Sequence, residues 1–112
     1  MAKRFYLRAD QIKPLAYGHG ACFATDMITV DGQKVGYMYR EEPNRDSGWV
    51  FLAGLESQEY LDDSENLAIY DVNTIANYDP EIIPFLDAPS GSAFARNPDS
   101  GEFEEEAFDP SQ

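Results

Sequence analysis

The chain is poor in the residues from which metal sites and disulfides are built, with one cysteine, Cys22, and one histidine, His19. A single cysteine cannot form an internal disulfide, so nothing in the sequence indicates an oxidising compartment. One histidine and one cysteine are also too few ligands for a structural zinc site. A calcium loop that begins at Asp71 fails as well, because its sixth and twelfth positions hold Ala76 and Ile82 in place of glycine and glutamate. We therefore predict no metal site and no cofactor.

Motifs for catalysis are missing too. Cys22 and His19 lie close together in the sequence, but no third residue that would orient them can be identified, and cysteine in an apolar run usually behaves as a small buried hydrophobe. The segment Gly18-His19-Gly20 lacks the lysine of a phosphate-binding loop and the third glycine of the dinucleotide-binding fingerprint. With 21 acidic residues, chance carboxylate pairs are common, and none stands out as an acid–base pair. We predict a protein without catalytic residues.

Long hydrophobic runs are absent from the sequence. No run approaches the roughly 18 to 20 apolar residues that cross a bilayer. The start MAKRFYLRADQIKP also lacks the apolar stretch of a secretory signal peptide. We therefore expect a cytoplasmic protein. Its 112 residues, 43% of them hydrophobic, have the size and composition of one globular domain.

Positive charge is scarce: 8 Lys and Arg residues stand against 21 Asp and Glu residues, which gives a net charge of −13. Residues 41–65 carry eight acids and one base, and residues 99–112 carry six acids and no base. Such a chain should repel nucleic acid and anionic lipid, since both are bound through Lys and Arg. It should attract a basic protein surface; the alternative is charge that serves only solubility.

Three segments have the composition of β-strands: residues 21–30, 34–40 and 49–55. Asp31-Gly32 between the first two segments predicts a tight antiparallel hairpin. Alternation along the second segment places Val35, Tyr37 and Tyr39 on one face. The third segment is apolar on both faces, which favours a position near the centre of a sheet.

After residue 57 the pattern becomes helical. Ser57, Asp71 and Asp79 each precede a short segment of helical character and are suited to cap it. The turn residues NPDSG between GSAFAR and EFEEE predict a terminal hairpin. The predicted fold is a single α+β domain over residues 1–103, with a mainly antiparallel sheet and short helices packed on it. Residues 104–112 are expected to form a flexible acidic tail.

The stretch GYMYREEPNRDSGWVF contains the only tryptophan, Trp49. We interpret it as two neighbouring strands joined by a polar loop, with Trp49 in the core rather than in a recognition surface. Asp46 is expected to accept backbone N–H bonds within this loop. Arg40 is expected to pair with the glutamates that follow it; the alternative is a buried Arg–Asp link that pins the loop.

Three short pieces of the chain are the most specific for a family assignment: YREEP, DSGW and NTIANYDP. With the segments around them, over roughly residues 4–103, they resemble a family of small bacterial domains long filed under unknown function. That family is grouped among the immunity proteins of polymorphic toxin systems, as the thirty-third in the series. The resemblance implies an α+β domain that neutralises a cognate toxin by binding it. It supplies no established functional residues.

The leading hypothesis is a non-catalytic, immunity-type binding protein whose partner is a basic toxin domain. The alternative is a small carboxylate-based enzyme or small-ligand-binding domain that uses acids of residues 56–65. For the first hypothesis we predict a partner-binding surface of acids and two tyrosines, in which charge steers the encounter and aromatic rings supply affinity. The predicted residues are Tyr39, Glu41, Glu42, Asp46, Glu56, Glu59, Tyr60, Asp62, Asp63 and Glu65.

Overall fold

The computed structural model describes residues 4–41 and 47–107. Its strands are β1 (Ala21–Thr25), β2 (Tyr37–Arg40), β3 (Trp49–Leu52), β4 (Leu67–Asp71), β5 (Ser92–Arg96) and β6 (Phe103–Ala107). They form one sheet in the order β4-β1-β3-β2-β5-β6. β1 and β3 are parallel, and the other neighbouring pairs are antiparallel. The mainly antiparallel sheet with short helices confirms the predicted α+β class.

The helices are short. They are α1 (Asp26–Thr29), α2 (Gln58–Asp62) and α3 (Val72–Tyr78), with 3₁₀ helices at Ala9–Gln11, Ser64–Asn66 and Pro80–Phe85. The side chains of Ser57, Asp71 and Asp79 each accept a hydrogen bond from a backbone N–H two or three residues further on, at 3.1, 2.8 and 3.1 Å. These bonds satisfy donors that the first turn of a helix leaves free, so all three predicted caps are confirmed.

The core lies on one face of the sheet. Its buried strand members are Cys22, Ala24, Met38, Trp49, Phe51 and Phe94. α3 contributes Val72, Ile75 and Ala76 to the same cluster, because their i, i+3 and i+4 spacing puts them on one side of the helix. Trp49 is 1% exposed, and its Nε1–H donates to Leu86 O at 3.2 Å. The predictions that Trp49 is a core residue and that β3 lies near the sheet centre are confirmed.

The predicted hairpin at Asp31-Gly32 is wrong. β1 ends at Thr25, α1 follows directly, and β3 lies between β1 and β2 in the sheet. α1 buries Ile28 completely, so tertiary packing outweighs the β preference of this branched side chain. Gly32 has a φ of 77° and donates its N–H to Ile28 O at 3.1 Å, and a Cβ on it would lie 2.6 Å from the Tyr6 ring. The glycine therefore ends a helical turn beneath a tyrosine instead of forming a hairpin.

All three predicted strands are shorter than expected: β1 lacks residues 26–30, β2 lacks residues 34–36 and β3 lacks residues 53–55. Val35 is a buried core residue and does not share the face of the two tyrosines of β2. Its N–H leaves the sheet ladder and donates to Asp79 Oδ2 at 3.1 Å. Gly54 adopts a φ of 89°, a conformation that glycine enters at little cost, and turns the chain after β3.

The predicted terminal hairpin is confirmed. β5 and β6 are antiparallel, and all five residues of β5 have a partner in β6. Residues 104–107 therefore belong to the sheet, although the sequence pattern assigned them to a flexible tail. A ladder along the whole of β5 satisfies backbone groups that a tail would leave to water. Residues 108–112 lie outside the described residues, so a tail there stays a prediction.

A buried ion pair joins the helical layer of the domain to the sheet. Asp79 is fully buried, and its Oδ2 accepts from Arg96 Nη2 at 2.5 Å. Arg96 also donates through Nε to Val35 O and through Nη1 to Glu81 Oε2, both at 2.9 Å. Its guanidinium carbon lies 4.3 Å from the centroid of the Phe103 ring. One arginine thus connects the last 3₁₀ helix, the segment before β2 and the terminal hairpin in a single network.

Asp79→Asn should lower the free energy of unfolding by about 3 kcal/mol, because it leaves the arginine of a buried pair uncompensated. Glu81→Gln makes the same chemical change at a solvent-exposed carboxylate that bonds the same arginine, so its effect should be small. Urea unfolding at neutral pH measures both variants. Equal losses in the two would contradict the role of Asp79 as the buried anchor.

Candidate functional site

Those predicted partner-binding residues that the structure describes fall into two groups at opposite ends of β3. Glu41 pairs through its backbone with the residue just before β3, whereas Glu56 bonds backbone groups just after β3. These points are about five residues of extended chain apart, or about 16 Å. Tyr39 belongs with Glu41, and the acids of residues 56–65 form the second group.

The Glu56 carboxylate closes a turn of the domain itself. Its Oε2 accepts from Thr25 Oγ1 at 2.5 Å and from Ala53 N–H at 2.8 Å. Its Oε1 accepts from Gly54 N–H at 2.9 Å. These bonds connect the turn after β3 to the end of β1. Both oxygens of the Glu56 carboxylate therefore take part in hydrogen bonds within the domain.

The remaining acids of the second group are exposed, and we call them the acidic patch: Glu59, Asp62, Asp63 and Glu65. Asp62 accepts from Gln58 Nε2 at 2.9 Å, and Asp63 caps the following 3₁₀ helix by accepting from Glu65 N–H at 3.0 Å. Both donors are neutral groups, so the bonds leave the negative charges in place. The patch is therefore a solvated cluster of carboxylates.

α1 and the turn that follows it bring further acids close to Tyr60, beside the acidic patch. Burial raises the pKa of Tyr60 most, the charge of Asp26 raises it further, and a hydrogen bond with the Met27 backbone opposes the rise. The charges of Glu56 and Asp31 add smaller upward contributions. The sequence pattern missed Asp26 and Asp31 because it placed both in a hairpin. Asp26 and Asp31 lie near α2 because the chain forms a helical turn after β1.

The second feature is the sheet face opposite the core. We call it the open sheet face and define it by Phe23, Tyr37, Tyr39, Val50 and Ile69. Phe23 pairs with Ile69 on one side and with Val50 on the other, and Val50 pairs with Tyr39, so these side chains form a row across four strands. Phe23 is 38% exposed and Ile69 62% exposed, whereas Val50 is only 7% exposed, so the accessible apolar surface of the row comes mainly from Phe23 and Ile69. Within residues 4–41 and 47–107, the buried core cluster takes no strand residue from this face.

Carboxylates border the open sheet face. Alternation along the edge strand β6 puts Glu104 and Glu106 on this side of the sheet. Burial, and then the charge of Glu106, raise the pKa of Tyr37. Burial, and then the charge of Glu41, raise the pKa of Tyr39. Both hydroxyls therefore stay protonated at neutral pH and can act as hydrogen-bond donors.

Arg40 is tied to two backbone carbonyls. Its Nε–H donates to Ser47 O at 2.8 Å and its Nη1–H to Ala88 O at 2.6 Å. These bonds join the end of the loop before β3 to the segment before β5. Glu42 and Asp46 lie outside the described residues, so their predicted roles, including a link to Arg40, stay predictions.

A shallow, open depression lies beside the last 3₁₀ helix. It is lined by Glu81, Pro84, Phe85, Glu102 and Phe103. Over residues 4–41 and 47–107 there is no group of three or more His, Cys, Asp or Glu side chains that could hold a metal ion. A helix long and apolar enough to cross a membrane is likewise not found in the described part of the chain.

Glu56→Ala should lower the free energy of unfolding by about 2 kcal/mol, because two backbone N–H groups and one hydroxyl lose their acceptor. Glu59→Ala removes the same type of side chain from an exposed helical position and should leave the unfolding midpoint nearly unchanged. Urea or thermal unfolding of the two variants gives the comparison. A loss for Glu59→Ala as large as that for Glu56→Ala would argue against the structural role of the Glu56 carboxylate.

Comparison with known families confirms the resemblance seen in the sequence. The family described as the immunity protein Imm33 domain matches residues 22–107. This range begins in β1 and ends with the last residue of β6, so it takes in the whole sheet apart from residue 21. Neither the curated proteins nor the solved structures gave a significant match. Because the matched range is well over half of the 112 residues, the chain belongs to the Imm33 family of immunity protein domains.

Proposed function

We propose that this protein neutralises a bacterial toxin by binding it directly, inside the cell that makes both, and that it performs no chemistry. Membership of an immunity protein family is the observation that carries the proposal. The net charge of −13 supports a basic toxin domain as the partner, since complementary charge favours encounter and disfavours wrong partners.

The acidic patch is suited to steer that encounter. Its carboxylates are exposed, and exposed charges act more on the association rate than on affinity. Lys34 and Arg96 make their ion pairs with Glu81 and Asp79, on other elements of the domain. These two cations are therefore engaged away from the patch and do not neutralise it.

The alternative, a small carboxylate enzyme or ligand-binding domain, draws support from the depression beside the last 3₁₀ helix. That depression combines Glu81 and Glu102 with the rings of Phe85 and Phe103. A hydrogen bond from Arg96 lowers the pKa of Glu81, whereas a general acid or base needs a pKa near the working pH. The depression is also open to solvent, which weakens electrostatic catalysis. Direct binding of a toxin is the better supported function.

The first test starts from the reading frame next to the gene for this chain, which we expect to encode a large secreted protein with a toxin domain at its C-terminus. We expect this domain to arrest growth when it is expressed alone, and co-expression of the present chain to restore growth. The two purified proteins should elute as one complex in size-exclusion chromatography. Growth arrest that the chain does not relieve, or turnover of a small substrate by the chain alone, would contradict the proposal.

Charge reversal in the acidic patch should slow association with that toxin domain. Glu59→Lys combined with Asp62→Lys should reduce the association rate roughly threefold to tenfold at low salt, and less at high salt, because ions screen exposed charges. Asp63 is spared in this design because it caps a helix.

The matched control combines Asp99→Lys with Glu102→Lys, the same charge change at exposed positions of the terminal hairpin. Surface plasmon resonance at several ionic strengths measures both variants, and the control should lose less rate. A rate that is unaffected by the patch reversal and independent of salt would show that the acidic patch does not steer the encounter.

A further inference from the structure

The acidic patch carries charge but little apolar surface, and charge alone supplies little of the affinity of a protein complex. We propose that the toxin docks on the open sheet face, where the apolar row supplies affinity and the bordering carboxylates select a basic partner. This inference rests on the proposed function and names the surface that performs it.

The apolar row is the first argument. Phe23, Val50 and Ile69 lie directly beside one another on β1, β3 and β4, and the Cβ atoms of such neighbours are about 5 Å apart. The exposed parts of Phe23 and Ile69 therefore merge into one patch. A sheet face that is exposed only to water normally carries polar residues at such positions. A contiguous apolar patch that is rimmed by polar residues is typical of an interaction surface.

The two tyrosines are the second argument. The ring centroids of Tyr37 and Tyr39 are 5.8 Å apart, and both rings are half-buried in the open sheet face. Each ring offers a rigid apolar surface and a hydroxyl that stays protonated beside carboxylates. Tyrosine is enriched among the residues that contribute most to binding because it combines these properties at low entropic cost.

The third argument is charge, which favours a basic protein as the partner on this face. Glu41 lies at one end of the open sheet face, and Glu104 and Glu106 lie along its β6 edge. Three cations make their bonds on the opposite, core side of the sheet: Lys34, Arg40 and Arg96. Within the part of the chain that the structure describes, these carboxylates make the border of the open sheet face acidic, and it fits a protein surface in which Lys and Arg surround an apolar patch.

The same charges argue against a second copy of this chain as the occupant. Two copies packed face to face would bring two sets of border carboxylates into one contact. Like charges that lose their water at an interface repel each other strongly. A basic partner removes this repulsion and replaces it with attraction.

Two neighbouring glutamates on β6 provide a matched test. Glu105 and Glu106 are both exposed on the same edge strand, but their side chains point to opposite sides of the sheet. Glu106→Lys should slow association with the toxin domain about threefold at low salt. Glu105→Lys makes the same charge change on the core side and should have clearly less effect. An effect of Glu105→Lys as large as that of Glu106→Lys would overturn the proposed docking face.

An apolar variant tests the affinity. Phe23→Thr keeps a residue that suits a strand but removes the ring, and it should raise the dissociation rate of the complex about tenfold or more. Tyr17→Thr, at a position 68% exposed in the segment before β1, removes an aromatic ring outside the open sheet face and should leave the rate unchanged. Dissociation rates that are equal for Phe23→Thr and the unmodified protein would overturn the inference.

Hydroxyl-radical footprinting of the unmodified complex gives an answer that does not depend on how a variant folds. Phe23, Tyr37 and Tyr39 should be protected by the bound toxin domain, whereas Tyr17 should not. Protection of Tyr60 without protection of these three rings would overturn the docking face and leave the proposed function standing.

Two further outcomes distinguish a toxin domain from a second copy of this chain as the partner on the open sheet face. Failure of the unmodified protein to bind the toxin domain at all would overturn the proposed function and the docking face together. Self-association in analytical ultracentrifugation, with protection of the open sheet face in the free protein, would make a second copy the occupant and overturn the basic partner.

Discussion

The helices of this domain are too short to cover more than one face of its six-stranded sheet. α3, the longest α-helix in the described ranges, has seven residues and is about 10 Å long, whereas six strands span about 24 Å. The helical layer is therefore placed over the large side chains of the central strands, above all Trp49 and Phe51. The opposite face keeps apolar side chains but receives no comparable cover from the described elements.

Charge is distributed unevenly over the segments that connect the strands and helices of this domain. Backbone groups in the segment before β1 form hydrogen bonds with the buried side-chain amide of Asn73. The amide oxygen accepts from Leu15 and Ala16 N–H at 2.7 and 2.8 Å, and the amide nitrogen donates to Lys13 O at 2.9 Å. A side-chain amide can do this because it offers both donors and an acceptor. The first thirteen residues carry four bases and one acid, and the last of these bases, Lys13, is thereby held against α3. Carboxylates, in contrast, border the open sheet face and form the acidic patch. A molecule polarised in this way presents its acidic side to a basic partner.

Local patterns alone were sufficient for several features. Asp71 and Asp79 cap helices because a short acidic side chain before a helical segment meets free N–H groups, wherever that helix packs. Trp49 is buried because the strand around it is apolar on both sides. The terminal hairpin follows from turn residues between two strand-like segments, and the negative charge follows from composition. Each of these depends on residues that are close together in the sequence.

The capped helices, the central apolar strand and the acidity of this protein follow from short stretches of its sequence. Which strands are neighbours, and which side chains each face of the sheet presents, follow only from the folded domain. The turn residues after β1 predict a hairpin, but α1 forms there instead and buries Ile28 in the core cluster, and β3 pairs with β1. The open sheet face brings together Phe23, Val50 and Ile69 from three separate strands. Likewise, Glu56 accepts a hydrogen bond from Thr25, at the end of the neighbouring strand β1. Strand order is set by the burial of side chains far apart in the chain, and that free energy exists only once the sheet has formed.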